Sequence, residues 1–398
     1  MNRPASTTSP IRVRYLRVSA VICCSALAVI PANHASAQQG QDAAVQLRVV
    51  PEFRIDAADH DLGPIGWLLV GRDGTIAISQ PQDNNVRFFS PTGAALGTFG
   101  RKGQGPGEFG MMTLAGWVGD TIWVGDGTTY RITMIAPDRS LVRSSLWPQG
   151  ARPSDPSRPV PQFIATPIHA FYGDGSVAVI AIPSSDGIPA WMRQPSGTYT
   201  PFMRINKEGV LQRVLMWGHE SDPYCRVESF QRPFCFHPFW AVSRRGAVFS
   251  TARIEGAGRD VDMIRVLAVD EDSDTLFSRS LPVRRERIPT RVRDSTQRAF
   301  EAMIGRVTRR PVPSVDIPEF YAPLVRAIVS NDERSLWLER GVTTGDRQWI
   351  VLDMSGRQVA SVRVPRRIDL KVVSMERVWG TERDADGLEH IVVLRVSR

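Results

Sequence analysis

The chain has 398 residues and a formal net charge of +8. Arginine supplies almost all of the basic charge, since lysine occurs only at positions 102, 207 and 371, and this indicates genome composition more than a nucleic-acid-binding surface. Beyond the N-terminal region no apolar segment approaches the roughly 20 residues that a membrane-spanning helix needs.

Residues 1–37 have the features of a cleaved signal peptide. Four arginines without any acidic residue are followed by an apolar stretch of about 13 residues, and small residues at 35–37 supply a cleavage site. A lipoprotein signal is disfavoured, because Ile22 and not a small residue precedes Cys23. We therefore predict a mature chain that begins at Gln38, lies in the periplasm or outside the cell, and carries 45 basic and 41 acidic residues.

A short module recurs along the mature chain: a polar turn followed by alternating apolar residues, which is typical of a hairpin with one buried face. The module occurs at 72–79, 118–125, 173–180, 243–250, 331–339 and, less clearly, 375–382. A second apolar strand follows each of the first five copies, at 86–93, 131–138, 202–209, 264–272 and 349–356. With one strand before and one after this pair, each unit has the four antiparallel strands of a β-propeller blade.

The two ends of the chain predict how the ring closes. The sixth unit has strands near 368–373, 377–382 and 390–396 but lacks a fourth, whereas 47–55 is an unpaired strand before the first unit. The N-terminal strand therefore completes the last blade and removes the exposed edges of an open array. We predict an all-β fold, with one six-bladed propeller domain over 38–398.

One short inserted helix is predicted near 294–309. Asp294 or Ser295 can cap it and Pro311 ends it, and its apolar face holds Ala299, Phe300, Met303, Ile304 and Val307. The stretch 284–310 carries nine arginines against three acidic residues. It is either a basic anion-binding arm or an amphipathic helix packed over the propeller mouth, and the apolar face favours the second interpretation.

The segments GTFGRKGQGPGEF (97–109) and DTIWVGDGTTYRI (120–132) resemble the NHL-type repeat, which couples a glycine-rich turn ending in Glu-Phe to a strand with a terminal Asp. Elsewhere the likeness fades, and Gln80 stands where a typical repeat has Asp. The segments 321–338 and 379–396 resemble exported six-bladed propellers that some soil and marine bacteria encode in many copies. That resemblance implies a fold and leaves the function open.

Two further stretches are interpreted as turns. The glycines of 100–107 lead through Glu108 into a strand, whereas a phosphate-binding loop leads into a helix. Asp270, Asp272 and Asp274 have the spacing of a calcium loop, but Leu281 stands where a bidentate Glu is needed. The sequence therefore predicts neither a cofactor nor a metal site.

Cys225 and Cys235 are the cysteines of the mature chain, with nine residues between them. In an oxidising compartment they are expected to form a disulfide that staples a loop. The surrounding stretch 224–240 holds six Phe, Tyr or Trp residues. It is either a binding lip or a loop that packs on itself, and the second interpretation is favoured.

Loop lengths indicate where a site should lie. The first–second and third–fourth turns of the units are short, whereas the long loops 100–107, 148–167, 183–199, 217–238 and 284–319 all belong to the opposite face. Long loops on a rigid scaffold usually carry binding residues. We predict a site at the channel mouth on that face, and the candidate ligand-binding residues are Arg101, Lys102, His169, Trp191, His237 and Arg253.

No catalytic motif is recognisable, since the chain has neither an H-E-x-x-H nor a G-x-S-x-G sequence. The favoured hypothesis is a monomeric, exported binding propeller whose partner is a small molecule, a glycan or a protein, with no nucleic-acid partner and no membrane anchor after cleavage. The alternative is a metal-dependent hydrolase of the lactonase or esterase kind, in which ligands from separate blades hold the metal at the channel mouth.

Overall fold

The computed structural model describes residues 44–147, 151–155, 157, 163–165, 168–180, 182–183, 201–219, 222–254, 260–310, 314–342 and 345–398. The predicted signal peptide over 1–37 and the candidate Trp191 lie outside these residues. Strands dominate the described part of the chain, beginning with β1 (Val45–Ile55). None of its helices is long and apolar enough to span a membrane.

Four sheets of four antiparallel strands follow, and in each sheet neighbouring strands succeed one another along the chain. Sheet 1 has β2 (Leu68–Val70), β3 (Ile76–Gln80), β4 (Asn85–Phe89) and β5 (Ala95–Phe99). Sheet 2 has β6 (Met112–Val118), β7 (Thr121–Asp126), β8 (Arg131–Ile135) and β9 (Leu141–Leu146). Strand β10 (Phe163–Ala165) pairs outside them with a later strand. Sheet 3 has β11 (Ile168–Phe171), β12 (Val177–Ile180), β14 (Pro201–Ile205) and β15 (Leu211–Trp217), and β13 (Ile182–Pro183) is the partner of β10.

After the short hairpin of β16 (Arg226–Val227) and β17 (Phe230–Gln231), sheet 4 has β18 (Trp240–Val242), β19 (Val248–Ile254), β20 (Val261–Val269) and β21 (Thr275–Arg284). The last sheet has eight strands. One side of it consists of four consecutive strands: β22 (Leu324–Val329), β23 (Ser335–Arg340), β24 (Arg347–Asp353) and β25 (Gln358–Val364). Its other half is β26 (Ile368–Val373), β27 (Arg377–Arg383), β28 (Glu389–Ser397) and the N-terminal strand β1.

Strand β1 lies between β25 and β28, where the two sides of this sheet meet. It pairs antiparallel with β28, from Arg48 opposite Ser397 to Ile55 opposite Ile391, so the predicted pairing of the two chain ends is present. Its first residues also pair in parallel with β25, with Val45 opposite Ala360, which the sequence did not predict. The N-terminal strand therefore joins two four-stranded units as well as completing one.

The core lies between neighbouring sheets. Middle strands are buried on both faces, as in β3, where all five residues are buried, whereas outer strands such as β9 are mostly exposed. Clusters of buried side chains combine adjacent sheets: Phe88 of sheet 1 packs with Ile122 and Val124 of sheet 2. This burial explains why the middle strands read as continuous apolar runs.

Buried polar side chains fix the loops between sheets. The carboxylate of Asp126, which is 1% exposed, accepts four backbone N–H groups, those of Gly110, Met111, Thr128 and Thr129. Burial alone raises the pKa of Asp126, but these N–H groups outweigh it and the pKa is lowered. Gln80 has the same position in sheet 1, and its Oε1 accepts the N–H of Gly63 at 2.7 Å. Gln80 thus makes the same kind of hydrogen bond to a loop backbone as Asp126 does.

Alternation of strand direction places the long connections on one rim and the short turns on the other. Because each unit is antiparallel, the loops from sheet to sheet and the second–third loops leave from the same ends of the strands. Those described include 100–107, between β5 and β6, and the parts 285–310 and 314–323 of the connection between β21 and β22. We call this side the long-loop rim and the other the short-turn rim.

The helix α1 (Thr290–Thr308) begins four residues before the predicted start, and the prediction that Asp294 or Ser295 caps it was wrong. Pro289 precedes the helix and no side chain makes a cap hydrogen bond. The rigid φ of proline suits this position, and the predicted capping residues lie exposed inside the helix. On the predicted apolar face Phe300 and Ile304 are buried, whereas Ala299 and Val307 are exposed.

The predicted disulfide between Cys225 and Cys235 is confirmed, with the two Cα atoms 5.5 Å apart. The stapled loop contains the β16–β17 hairpin, and its Val227 and Phe230 pack against Phe300 and Ile304 of α1. Helix and loop therefore form a small apolar cluster of their own, separate from the clusters between the sheets.

Candidate functional site

A cavity of about 320 Å³ lies where the innermost strands meet. It is lined by short segments of six strands, which are the first strands of sheets 1 to 4 and two strands of the eight-stranded sheet: 68–70 of β2, 115–117 of β6, 169–170 of β11, 241–242 of β18, 327–329 of β22 and 371–372 of β26. We call it the axial cavity. Its volume falls at the lower end of the range for small-molecule sites, about 300–1,000 Å³.

The axial cavity lies toward the short-turn rim. Its lining comes mostly from the later residues of the innermost strands and continues into the turns with Ser243, Arg244, Ser330 and Asn331. The sequence pointed to the channel mouth on the long-loop rim, where several loops fall outside the described residues. That placement stays a prediction.

Small residues recur in the lining. Ala115, Ala170, Ala241 and Ala327 line the cavity from four different strands. Gly116 is required because a Cβ atom there would lie 2.8 Å from the Nε1 atom of Trp123. The close approach of the indole to the β6 backbone thus depends on glycine.

Several polar groups of the lining have no hydrogen-bond partner among the described residues. They are the indole Nε1 of Trp123, the Nε2 of His169, and the Nε and Nη1 of Arg244. Trp123 is 1% exposed, so its N–H is fully removed from bulk water. Buried polar groups are nearly always paired, so these atoms are unusual, but each is itself covered by protein and has almost no accessible surface.

The imidazole of His169 lies against Phe202, with ring centroids 5.4 Å apart. Burial lowers its pKa to about 4, so it is neutral at pH 7. In that form one ring nitrogen donates and the other accepts, and which does so depends on the tautomer.

Arg244 stacks on Trp117, with its guanidinium carbon 4.5 Å from the ring centroid. Its Nη2 donates to the carbonyl of Gly119 at 3.1 Å, and it forms no ion pair with a described carboxylate. Burial is the main cause that lowers its pKa, and the neighbouring Arg72 adds to the effect. The stacked guanidinium is therefore held in place with donors to spare.

Lys371 is the second cation of the lining, and a network of ion pairs holds its side chain in place. Its Nζ lies 2.7 Å from Asp369, which also pairs with Arg326 at 2.9 Å. Arg326 and Arg347 both bind the buried Glu339, at 2.8 and 2.7 Å. The lining itself contains two cations and no carboxylate.

Of the six residues that the sequence singled out, His169 lines the axial cavity and Trp191 lies outside the described residues. Arg101 is in the 100–107 turn, where it pairs with Glu108 at 2.8 Å. The backbone of the adjacent Lys102 forms an isolated β-bridge with Phe109. Arg253 pairs with the buried Asp262 at 3.0 Å. His237 belongs to the disulfide loop, and burial, the largest cause, lowers its pKa.

The two stretches interpreted as turns have internal partners. Glu108 accepts the N–H groups of Gln104 and Gly105, which folds the 100–107 turn onto its own carboxylate. Asp270 accepts the N–H groups of Asp272 and Asp274, each at 2.9 Å, in the hairpin between β20 and β21. Among the described residues no group of three or more His, Cys, Asp or Glu side chains could hold a metal ion.

Sequence reasoning missed four lining residues: Trp117, Trp123, Arg244 and Lys371. Trp123 lies in the middle of an apolar strand, as core residues do, and Arg244 lies in the Ser-Arg-Arg-Gly turn between β18 and β19. Their position in the repeat could have identified them as candidates, because all four lie on or beside the first two strands of a unit. Which of them meet is decided only by the closure of the ring.

No family model and no curated protein matches the sequence. Solved structures of low identity do match. A member of the DUF4221 family from Bacteroides vulgatus is 11% identical with a TM-score of 0.46, over 89% of this chain and 99% of that one. A gluconolactonase from Xanthomonas campestris is 13% identical with a TM-score of 0.37, over 89% and 97%. The calcium-binding protein regucalcin from Agrobacterium tumefaciens is 10% identical with a TM-score of 0.36, over 89% and 96%.

Proposed function

We propose that the chain is an exported six-bladed β-propeller, of the periplasm or the cell exterior, that binds a small acidic organic molecule in the axial cavity. The observation that carries this proposal is a cavity to which every four-stranded unit contributes and whose lining holds the cations Arg244 and Lys371 but no acidic residue.

The count of six blades treats the eight-stranded sheet as two blades that share β1 as a bridge. Each half repeats the strand arrangement of sheets 1 to 4. Contacts between innermost strands support a ring, because β22 contacts both β18 and β26, and β26 contacts β2. The NHL-type junction at 97–132 is consistent with this architecture.

The chemistry of the lining indicates the class of ligand. Arg244 and Lys371 supply positive charge, and alanines with Trp117 supply an apolar wall. A carboxylate on an apolar or aromatic body satisfies both features, since charge-assisted hydrogen bonds are strongest where water is excluded. Size limits the ligand to a small molecule.

The test is a binding screen of small aromatic and aliphatic carboxylic acids against the purified protein, read by ligand-observed NMR and quantified by calorimetry. Arg244→Gln and Lys371→Gln each remove one cation of the lining. Each is expected to weaken the best acid about tenfold or more, the effect of losing one charge-assisted hydrogen bond.

Arg245→Gln is the matched control, because Arg245 is the next residue, is exposed, and pairs with Glu333 outside the cavity. It should bind the acids as the wild type does. Acids that bind all four proteins equally, or that bind none, would contradict the proposal. Turnover of a lactone or ester that depends on added calcium or zinc would instead support the hydrolase alternative.

A further inference from the structure

A second cavity, of about 330 Å³, lies at the long-loop rim between sheet 4 and the eight-stranded sheet. Sheet 4 contributes Arg284 at the end of β21, the eight-stranded sheet contributes Arg340, Gln348 and Arg363, and the N-terminal strand β1 contributes Gln46. We call it the outer cleft. It shares no lining residue with the axial cavity.

The cleft has an apolar part and a polar part. The apolar part is lined by Pro282, Val283, Trp349, Ile350 and Val362, of which Val283 and Ile350 pack with Leu338 and Leu352 in the core between the two sheets. Toward the rim the apolar side chains give way to a polar row, in which Gln348 lies opposite Arg363. The apolar packing stops there, and a groove remains between the sheets.

The polar row is rich in donors. Arg340 donates to the Oε1 of Gln348 and to the carbonyl of Arg284, both at 2.6 Å. Burial lowers its pKa, and Glu286 acts against this. Arg284 pairs with Asp260 at 3.1 Å, whereas Arg363 forms no ion pair among the described residues. None of the residues that line the outer cleft is acidic.

The second row of the cleft offers amides and a hydroxyl. Ser361 lies directly opposite Gln46 of β1, and Gln358 lies on the same strand as Ser361. Amide and hydroxyl groups exchange hydrogen bonds with the hydroxyls of a sugar, and a guanidinium forms paired bonds with a carboxylate or a phosphate. A ligand that carries both kinds of group matches both rows.

From this arrangement we propose that the outer cleft is a binding site for an anionic sugar, that is, a sugar acid or a sugar phosphate. Because Gln46 belongs to β1, the site is complete only when the N-terminal strand occupies its place beside β25. This proposal does not depend on a ligand in the axial cavity. It gives a function to Arg284, the first residue of the arginine-rich stretch 284–310.

The experiment is calorimetric titration of the purified protein with glucuronate, with glucose 6-phosphate and with glucose. The two anionic sugars are expected to bind and glucose is expected to bind at least tenfold more weakly; the stronger of the two anions identifies carboxylate or phosphate as the preferred group. Arg363→Gln, at an exposed position, should weaken the anionic sugars about tenfold or more. Arg340→Gln is a second variant, with its fold checked by circular dichroism because Arg340 also bonds to the backbone.

Two control variants distinguish binding to the outer cleft from binding to other positively charged parts of the protein. Arg334→Gln removes an exposed arginine from the β22–β23 turn on the opposite rim and should leave the titration unchanged. Arg244→Gln, in the axial cavity, should leave the titration with glucose 6-phosphate unchanged, and a loss equal to that of Arg363→Gln would assign the binding to the axial cavity and overturn the proposal. The proposal is overturned if neither anionic sugar binds, if glucose binds equally well, or if Arg363→Gln and Arg334→Gln have the same effect.

Discussion

The side chain of His169 lies on β11, buried beside Phe202 and next to the axial cavity. A charged imidazolium would lose its hydration there, which is why the pKa falls to about 4 from an ordinary value of 6.5. The neutral ring suits a site whose cations are Arg244 and Lys371, since a third positive charge would repel both. Burial of His169 thus leaves Arg244 and Lys371 as the cations of the lining.

The lowered pKa predicts a pH dependence of stability. Between pH 6.5 and about 4 the unfolded chain takes up a proton at His169 that the folded chain does not, so stability decreases as the pH falls through this window. From pH 7 to pH 5 this group is expected to cost about 1–2 kcal/mol of unfolding free energy.

Urea unfolding of the wild type and of His169→Gln at pH 7 and pH 5 measures this effect. The variant has no imidazole to titrate, so its loss of stability between the two pH values should be smaller by that amount. His169→Phe should behave in the same way, which separates the titration from the volume of the side chain. Equal losses in all three proteins would show that His169 is not buried as described.

At the scale of elements, the helix α1 and the disulfide loop support each other. Phe300 and Ile304 of α1 contact Val227 and Phe230 of the loop, and this cluster is separate from the inter-sheet core. A disulfide that closes so short a loop stabilises the folded form by about 2–3 kcal/mol. Its effect should therefore fall on this local unit more than on the sheets.

Replacing Cys225 and Cys235 together with serine should make the amides of α1 exchange with deuterium much faster, while those of β23 and β24 keep their protection. Hydrogen exchange with mass spectrometry measures both regions in one experiment. Phe300→Ala, with the disulfide intact, is the companion variant and should loosen α1 in the same way. Unchanged exchange in α1 after loss of the disulfide would mean that the loop does not hold the helix.

The strands were predictable because their signal is local. Turn residues and alternation identified the strand pairs of each unit, and the chain ends indicated the partner of β1. The start of α1 was not predictable by the same rules, since Pro289 replaces a side-chain cap and the polar residues Asp294 and Ser295 gave a misleading signal.

The candidate site was much harder to predict than the fold. Residues of the axial cavity are separated by tens to hundreds of positions in the sequence and meet only through the ring. His169 could be named because histidine is rare in this chain, whereas Arg244 is one of many arginines and Trp123 resembles a core residue. No local pattern separates an arginine that stacks on Trp117 from one that faces solvent.

At the scale of the whole molecule, closure rests on contacts between the two ends of the described chain. His390, which is 1% exposed, accepts the N–H of Ala57 at its Nδ1 and bonds to Asp384 through its Nε2, at 3.0 and 2.9 Å. Glu52 of β1 binds Arg377 of β27 through two hydrogen bonds, at 2.8 and 2.6 Å.

These contacts explain why one strand can hold the ring. Strand β1 hydrogen-bonds to β28 along most of its length and to β25 at its start, so neither neighbour has a free edge there. The axial cavity and the outer cleft both depend on this closure: the first needs all innermost strands around it, and the second needs Gln46 in place.

Hydrogen exchange of the β1 amides in the purified protein tests this closure most directly. If β1 is seated between β25 and β28, peptides covering 45–55 will exchange as slowly as those of β27 and β28, and they will lose protection only with global unfolding. If 45–55 instead exchanges within seconds while β27 and β28 stay protected, the N-terminal strand does not close the ring and the account of both cavities is contradicted.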